Sequence, residues 1–255
     1  MRLPELHSRV DRLEQLAVAA QAHAERIDRL EDLLFESKEE TWERSRRRWR
    51  QSQPDPGLTW GREVTGGNFI SKASSYGAIT HEKTVLEIGP GYGRLLRACL
   101  DQGIRFKKYV AVDISLDNVK YLQETFPIER VSFIHGDIEN ISFDDRFDVM
   151  LSSLTFKHLF PSFEQALSNV VQYMNPGGLV FFDLIEGDKK YFEKDSVTYI
   201  RWYTRADVLE ILGNVSLDLV AFDHVQHDPG ISRLLVVATT PGLSLAGDHW
   251  THAAR

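Results

Sequence analysis

Val85-Leu86-Glu87-Ile88-Gly89-Pro90-Gly91-Tyr92-Gly93-Arg94 decides the fold of this chain. An apolar, β-rich run ends in an acid and passes into glycines at alternate positions. A helix-forming segment, Leu95 to Leu100, follows. That order reads as strand, tight turn and helix start. Glycine there lets the backbone turn sharply and lets a ligand approach the main chain where a side chain would clash.

Working outward, the next strand is Tyr109-Val110-Ala111-Val112-Asp113, whose acid follows Gly93 at the spacing of about 20 residues expected for a carboxylate that grips ribose hydroxyls. Val131-Ser132-Phe133-Ile134 then runs into His135-Gly136-Asp137, and Phe147 to Ser152 makes a fourth strand. Glu87, Asp113 and Asp137 thus stand at the carboxyl ends of successive strands. In an open parallel sheet, ligands bind outside those ends, where strand order reverses.

These residues resemble the class I S-adenosylmethionine-dependent methyltransferases, over roughly residues 60 to 241. The first motif of that family, an acid followed by Gly-x-Gly-x-Gly, is matched by Glu87 to Gly93. A nicotinamide-binding fold would more often place its third glycine where Arg94 stands. The resemblance implies a Rossmann-like α/β fold, a seven-stranded, mostly parallel sheet with helices on both faces. It also implies roles. Gly89, Gly91 and Gly93 would line the methionine and ribose of S-adenosyl-L-methionine, and Asp113 would bind the ribose hydroxyls. Asp137 would accept from the adenine amino group, with Ile114 and Ile138 on the adenine faces. Glu87 would reach the methionine ammonium, and Ser152 would stand beside the cofactor at the end of the fourth strand. Pro176-Gly177-Gly178 before the strand Leu179 to Leu184 is a further habit of the family.

Within this core, Leu116 to Thr125 and Phe163 to Met174 read as helices. Thr204 to Leu212 reads as a helix capped by Thr204, with Asp207 in its first turn. Leu217 to Val225 and Leu234 to Thr239 read as a closing antiparallel pair.

The 255 residues suffice for one mid-sized α/β domain with an extension, and 42% hydrophobic residues allow a full core. The lone Cys99 excludes a disulfide framework and a cysteine-rich zinc site. A net charge of -7 does not favour nucleic acid. No run approaches the roughly 18 apolar residues of a membrane span, and a cytoplasmic location is expected.

Residues 1–50 lack glycine and carry heptads. Leu3, Val10, Ala17 and Ala24 fall on one seam position, and Leu6, Leu13, Ala20, Ile27 and Leu34 on the other. This predicts an N-terminal coiled-coil helix, paired with another copy as a homodimer or folded back on the catalytic domain. Arg44 to Arg50 reads as a solvated helix end or a surface for phosphate or membrane. Residues 51–59 read as a linker, 60–241 as the catalytic domain and 242–255 as a frayed tail. Gly66-Gly67 suits a mobile lid or an ordinary first helix.

For an alcohol acceptor, methyl transfer needs orientation of both partners and removal of a proton. His158, past the fourth strand, and Asp183, ending the next, form a possible base and orienter. His158 can equally be a packing residue. Asp183 could also hold Mg²⁺, as in some sugar O-methyltransferases, although no metal site is visible. His224 and His227 with Asp223 and Asp228 make a second, weaker metal candidate. Ser152-Ser153-Leu154-Thr155 lacks the Asn/Asp-Pro-Pro-aromatic motif of amino-methylating DNA and protein enzymes. The aromatic and charged stretch from Lys189 to Tyr203 suits a saccharide or an aromatic ring, and reads equally as a surface insertion between strand and helix. The reading is O-methylation of a saccharide or other small molecule. The alternatives are N- or C-methylation of a metabolite, or an assembly protein with a vestigial methyltransferase domain.

Overall fold

A computed structural model describes residues 38–55, 66–225 and 233–242, with residues 12, 16 and 21 described as helical. The heptads between Leu3 and Leu34 and the tail from 243 lie outside the continuously described residues. The chain divides into two compact units, Met1–Arg44 and Ser45–Arg255. Helix α1, Lys38–Arg50, is the first described element. Its last turns belong to the second unit, and so do residues 51–55, which the sequence reading assigned to a linker. The physical reason is polar: the Ser115 hydroxyl donates to the Ser52 carbonyl at 2.6 Å, and the Gln53 amide donates to Asp117.

The second unit is a seven-stranded sheet. Its strands are β1 Thr84–Ile88, β2 Lys108–Asp113, β3 Val131–His135, β4 Phe147–Ser152, β5 Met174–Ile185, β8 Asp218–Val225 and β9 Arg233–Thr239. The order is β3-β2-β1-β4-β5-β9-β8. The first five run parallel, and β9 is antiparallel to both of its neighbours. Helices α2 Gly66–Ser75, α3 Arg94–Asp101, α4 Leu116–Thr125, α5 Glu164–Val171 and α6 Arg205–Asn214 complete it.

Side-chain alternation along each strand divides the core in two. Leu86, Ile88, Val110, Val112, Met150 and Phe182 pack on one face with residues of α5 and α6. Val85, Tyr109, Ala111, Val149, Leu151 and Phe181 pack on the other with α2 and α3. A sheet covered on both faces explains strands that read as near-continuous apolar runs. Local chemistry sets the helix starts. The Ser115 hydroxyl caps α4 by accepting from the Asn118 N–H at 3.2 Å, and Thr204 and Asp207 form a reciprocal capping box on α6.

Two open readings are decided. Gly66 and Gly67 open a helix and do not form a hinge. A Cβ on Gly66 would lie 2.5 Å from the Arg94 carbonyl oxygen, so this glycine lets α2 press against α3. The Lys189–Tyr203 stretch folds back on the domain as a hairpin, β6 Lys190–Phe192 with β7 Tyr199–Arg201. Tyr199 and Tyr203 are buried together with Ile200, which takes these two aromatics away from a saccharide platform, while Tyr191 is exposed. Cys99 is buried, and burial pushes its thiol up to about 12, an inert packing residue.

Candidate functional site

Strand order reverses between β1 and β4, and the turn after β1 lies at that crevice. The turn needs its glycines for different reasons. Gly91 adopts φ +59°, with no atom within 4 Å of where a Cβ would stand, and its N–H donates to Asp113 Oδ2 at 3.0 Å. It is the open side of the turn. Gly93 has φ +87°, and a Cβ there would strike Phe126 and Leu122 at 2.6 and 2.8 Å. Gly93 serves the packing of α3 against α4 and does not line the crevice, contrary to its expected role.

The crevice is a cavity of about 540 Å³, within the range of roughly 300–1,000 Å³ common for ligand sites. Gly89, Gly91, Asp113, Ile114, Asp137 and Ile138 all line it, so most of the expected set converges. Asp113 Oδ1 accepts from the Ser115 N–H at 2.8 Å and the Asn118 amide at 3.3 Å. Burial raises the Asp113 carboxyl above its usual range, and the Ser115 and Gly91 N–H groups hold it down in part. Asp137 Oδ1 accepts from the Glu139 N–H at 3.1 Å, while Oδ2 is buried with no hydrogen-bond partner. Asn118 Oδ1 and Trp49 Nε1 are in the same condition on the same cavity. Unsatisfied buried polar atoms are costly. A ligand with a ribose and an amino-bearing base would supply the missing donors and acceptors, so these residues fit an adenosine group.

Other expectations need correction. Glu87 is buried behind the turn, absent from the cavity wall, and accepts from the Tyr109 hydroxyl at 2.7 Å. Burial raises its carboxyl to about 7, against the lowering effect of the Tyr109 bond and of Arg94. Ser152 donates to the Ile88 carbonyl at 3.3 Å, inside the sheet; its neighbour Ser153 reaches the cavity. Asp183 does not orient His158. It pairs with the buried Arg233 and accepts from the Ser153 hydroxyl at 2.9 Å and the Leu154 N–H at 2.8 Å. A carboxylate so engaged is not a metal ligand, and no group of three or more acids, histidines or cysteines suited to a metal ion occurs among the described residues. His224 faces Glu186 at 3.2 Å and Asp223 pairs with Lys72 at 2.7 Å, while His227 and Asp228 lie outside the described residues.

His158 does line the cavity, in a short 3₁₀ turn, Phe156–His158. Its Nδ1–H donates to the Tyr199 carbonyl at 2.8 Å, which leaves the lone pair on Nε2. Trp49 covers the ring with centroids 4.3 Å apart. Burial, and then the neighbouring Lys157 charge, lowers its pKa to about 3. A base so weak is poorly matched to proton removal at neutral pH.

Sequence reasoning passed over Arg46 and Trp49. Arg46 is buried and pairs with Asp137 at 2.6 Å and with Glu139. It lay inside a cationic run that reads as solvated. The signal was the register: residues 42, 45, 46 and 49 share one helical face. Arg94 and Lys157 were likewise passed over, though both line the cavity beside Ser153.

The chain is similar to known methyltransferases in sequence and in fold. The profile of a family described as "Methyltransferase domain" matches residues 86–182. The phthiotriol/phenolphthiotriol dimycocerosates methyltransferase of Mycobacterium leprae is 30% identical over 109 residues, which is 42% of this chain and 40% of that protein. The fatty-acid O-methyltransferase of Mycolicibacterium smegmatis is 30% identical over 101 residues, 39% of this chain and 36% of that protein. The chain thus spans about two fifths of the length of the curated relatives it matches. Among solved structures, the 1,6-didemethyltoxoflavin-N1-methyltransferase of Burkholderia thailandensis, with S-adenosylhomocysteine bound, superposes with a TM-score of 0.67 at 20% identity. That match covers 81% of this chain and 92% of that one. An S-adenosylmethionine-dependent methyltransferase of Clostridium acetobutylicum superposes at 0.54 with 15% identity, covering 69% and 91%.

Proposed function

We propose that the protein is a class I S-adenosylmethionine-dependent methyltransferase that transfers a methyl group from S-adenosylmethionine to an oxygen atom of a small molecule. One observation carries the reading: Asp113 and Asp137, at the ends of neighbouring strands, line one cavity with the open Gly91 turn beside Asp113. Asp113 would hold the ribose hydroxyls. Asp137 Oδ2 would take the adenine amino group, with Ile114 and Ile138 on the ring faces. When bound, the cofactor supplies an electrophilic methyl on a sulfonium sulfur. The chain supplies position, an enclosed wall and the field around the acceptor.

Oxygen as the acceptor atom draws support from the fatty-acid O-methyltransferase among the relatives. A saccharide hydroxyl is less well served, since His158 has little basicity and Asp183 is taken up by Arg233. We read His158 as part of the wall, holding the 3₁₀ turn to β7. The heptads of the first unit we read as a self-association helix.

Calorimetry with S-adenosylhomocysteine on the full chain tests the cofactor site. Asp113→Ala should weaken binding by about 1.5–3 kcal/mol, through loss of hydrogen bonds to a charged acceptor. A variant that binds as tightly as the parent, or a parent that does not bind, overturns the reading.

A further inference from the structure

A strained turn stands on the β4 side of the crevice. β4 ends at Ser152, and Ser153, Leu154 and Thr155 line the cavity beyond it. Leu154 has φ +63°, a left-handed conformation that is unfavourable for leucine and persists only where its surroundings hold it. The holder is Asp183 of β5, the strand beside β4, with Ser152 opposite Phe182. Asp183 Oδ1 accepts from the Leu154 N–H at 2.8 Å, and Oδ2 accepts from the Ser153 hydroxyl at 2.9 Å. Arg233 of β9, opposite Ile185, answers the carboxylate and donates to the Ser153 hydroxyl oxygen at 3.1 Å. Asp183 and Arg233 are buried, and neither lines the cavity.

The far side of the same turn presses on the glycine loop. Thr155 Oγ1 lies 3.3 Å from the carbonyl oxygens of Ile88 and of Gly89. Gly89 has φ +65°, and a Cβ there would collide with the Thr155 side chain. We propose that Asp183, with Arg233 behind it, is a positioning residue for the cofactor. It holds Leu154 in its left-handed turn, so that Thr155 braces the Gly89 end of the loop in the shape that receives S-adenosylmethionine. The inference rests on the methyltransferase reading above and deepens it, since it gives a role to two charges outside the cavity wall.

Net stability alone does not account for the pair, because a buried ion pair is often no better than apolar residues of the same volume. What the carboxylate does is directional. Hydrogen bonds to an ionised acceptor are stronger than neutral ones, and Asp183 takes two of them from consecutive residues of one turn. Released from that clamp, a leucine returns to negative φ, because its Cβ crowds the backbone in the left-handed region. The peptide that follows then rotates, and Thr155 leaves Gly89. Sites are precise where a second layer of hydrogen bonds fixes the residues that line them.

The test uses the full chain with S-adenosylhomocysteine as the probe, and circular dichroism checks that each variant is folded. Calorimetry on the parent comes first. Asp183→Asn should weaken S-adenosylhomocysteine binding by about tenfold or more. Adding Leu154→Gly should restore the affinity to within about threefold of the parent, because glycine takes a positive φ without strain. Adding Leu154→Ala should not, since alanine meets the same backbone penalty; this arm separates the backbone from the loss of the leucine side chain. Should Asp183→Asn not fold, Asp183→Leu with Arg233→Met replaces the charges by apolar groups and carries the same readout and the same glycine rescue. The inference is overturned if the folded variant binds like the parent, if glycine fails to restore binding, or if alanine restores it as well as glycine does. A chain that folds with neither change assigns the pair to the core and also overturns it. Failure of the underlying reading shows separately, as a parent that does not bind S-adenosylhomocysteine.

Discussion

Glu87 shows how one residue type can serve a motif for a reason the motif does not state. Its carboxyl lies in the core with the Tyr109 hydroxyl as donor, and burial raises its pKa from 4.5 to about 7. A raised carboxyl pKa means that the folded state binds more protons than the unfolded state between about 4.5 and 7. Stability from this group therefore falls as pH rises through that window. Urea unfolding of Glu87→Gln should show a flatter stability profile between pH 5 and 7.5 than the parent; identical slopes would place the proton elsewhere. At His158 the prediction runs against a base. His158→Gln should keep turnover within about tenfold, and the pH–rate profile should retain its shape between pH 5.5 and 8.5. A loss of 10² or more, with a displaced acidic limb, would return the residue to proton transfer. Both predictions turn on burial, which a sequence position does not report. The glycines and acids of the turn were legible because their spacing is local chemistry. The basicity of His158 was not, because burial sets it first and the adjacent Lys157 charge second, and the spacing of residues does not report burial.

Among the elements, the end of α1 is the one whose character changed most. A run of arginines reads as solvated, yet Arg46 is buried and answers Asp137 and Glu139. Removing one partner of such a cluster leaves uncompensated charge, at a cost of roughly 3–5 kcal/mol. Arg46→Ala should lower the unfolding free energy by about that much in urea titration. Arg47→Ala, one position on, should change it by less than about 0.5 kcal/mol. Equal small effects would show that the helix end is not held by these acids. The strands needed little revision. Apolar runs bounded by turn residues predicted β1 to β4, β8 and β9 closely, since burial on both faces writes itself into consecutive positions; β5 was read from Leu179 and begins at Met174, which had been read as the end of a helix. The Lys189–Tyr203 hairpin was missed in purpose, because aromatic residues look alike whether they face a ligand or a core.

For the whole molecule, the chain divides at Arg44 and Ser45 into two compact units. Deleting residues 1–37 should leave a folded domain that binds S-adenosylhomocysteine as the parent does, and the mass in light scattering should fall if the heptads pair. Deleting residues 1–55 should weaken that binding at least tenfold, because Arg46, Trp49, Ser52 and Gln53 line the cavity. Equal affinity in both truncations would show the cavity wall from α1 to be dispensable, and an unchanged mass would move the interface into the second unit.

By itself the sequence determined the succession of strands, the glycine turn and two of the acids that line the cavity, Asp113 and Asp137, since each is written in spacing within a few tens of residues. Only the tertiary structure decided the partners. Glu87 turns to Tyr109 and away from the cavity, Asp183 turns to Arg233 and away from His158, and Asp137 meets Arg46 from 91 positions earlier. Backbone pattern is fixed by local sterics and periodic burial. The pairing of buried charges is fixed by which distant segments the folded chain brings within hydrogen-bond reach, and no local spacing records that.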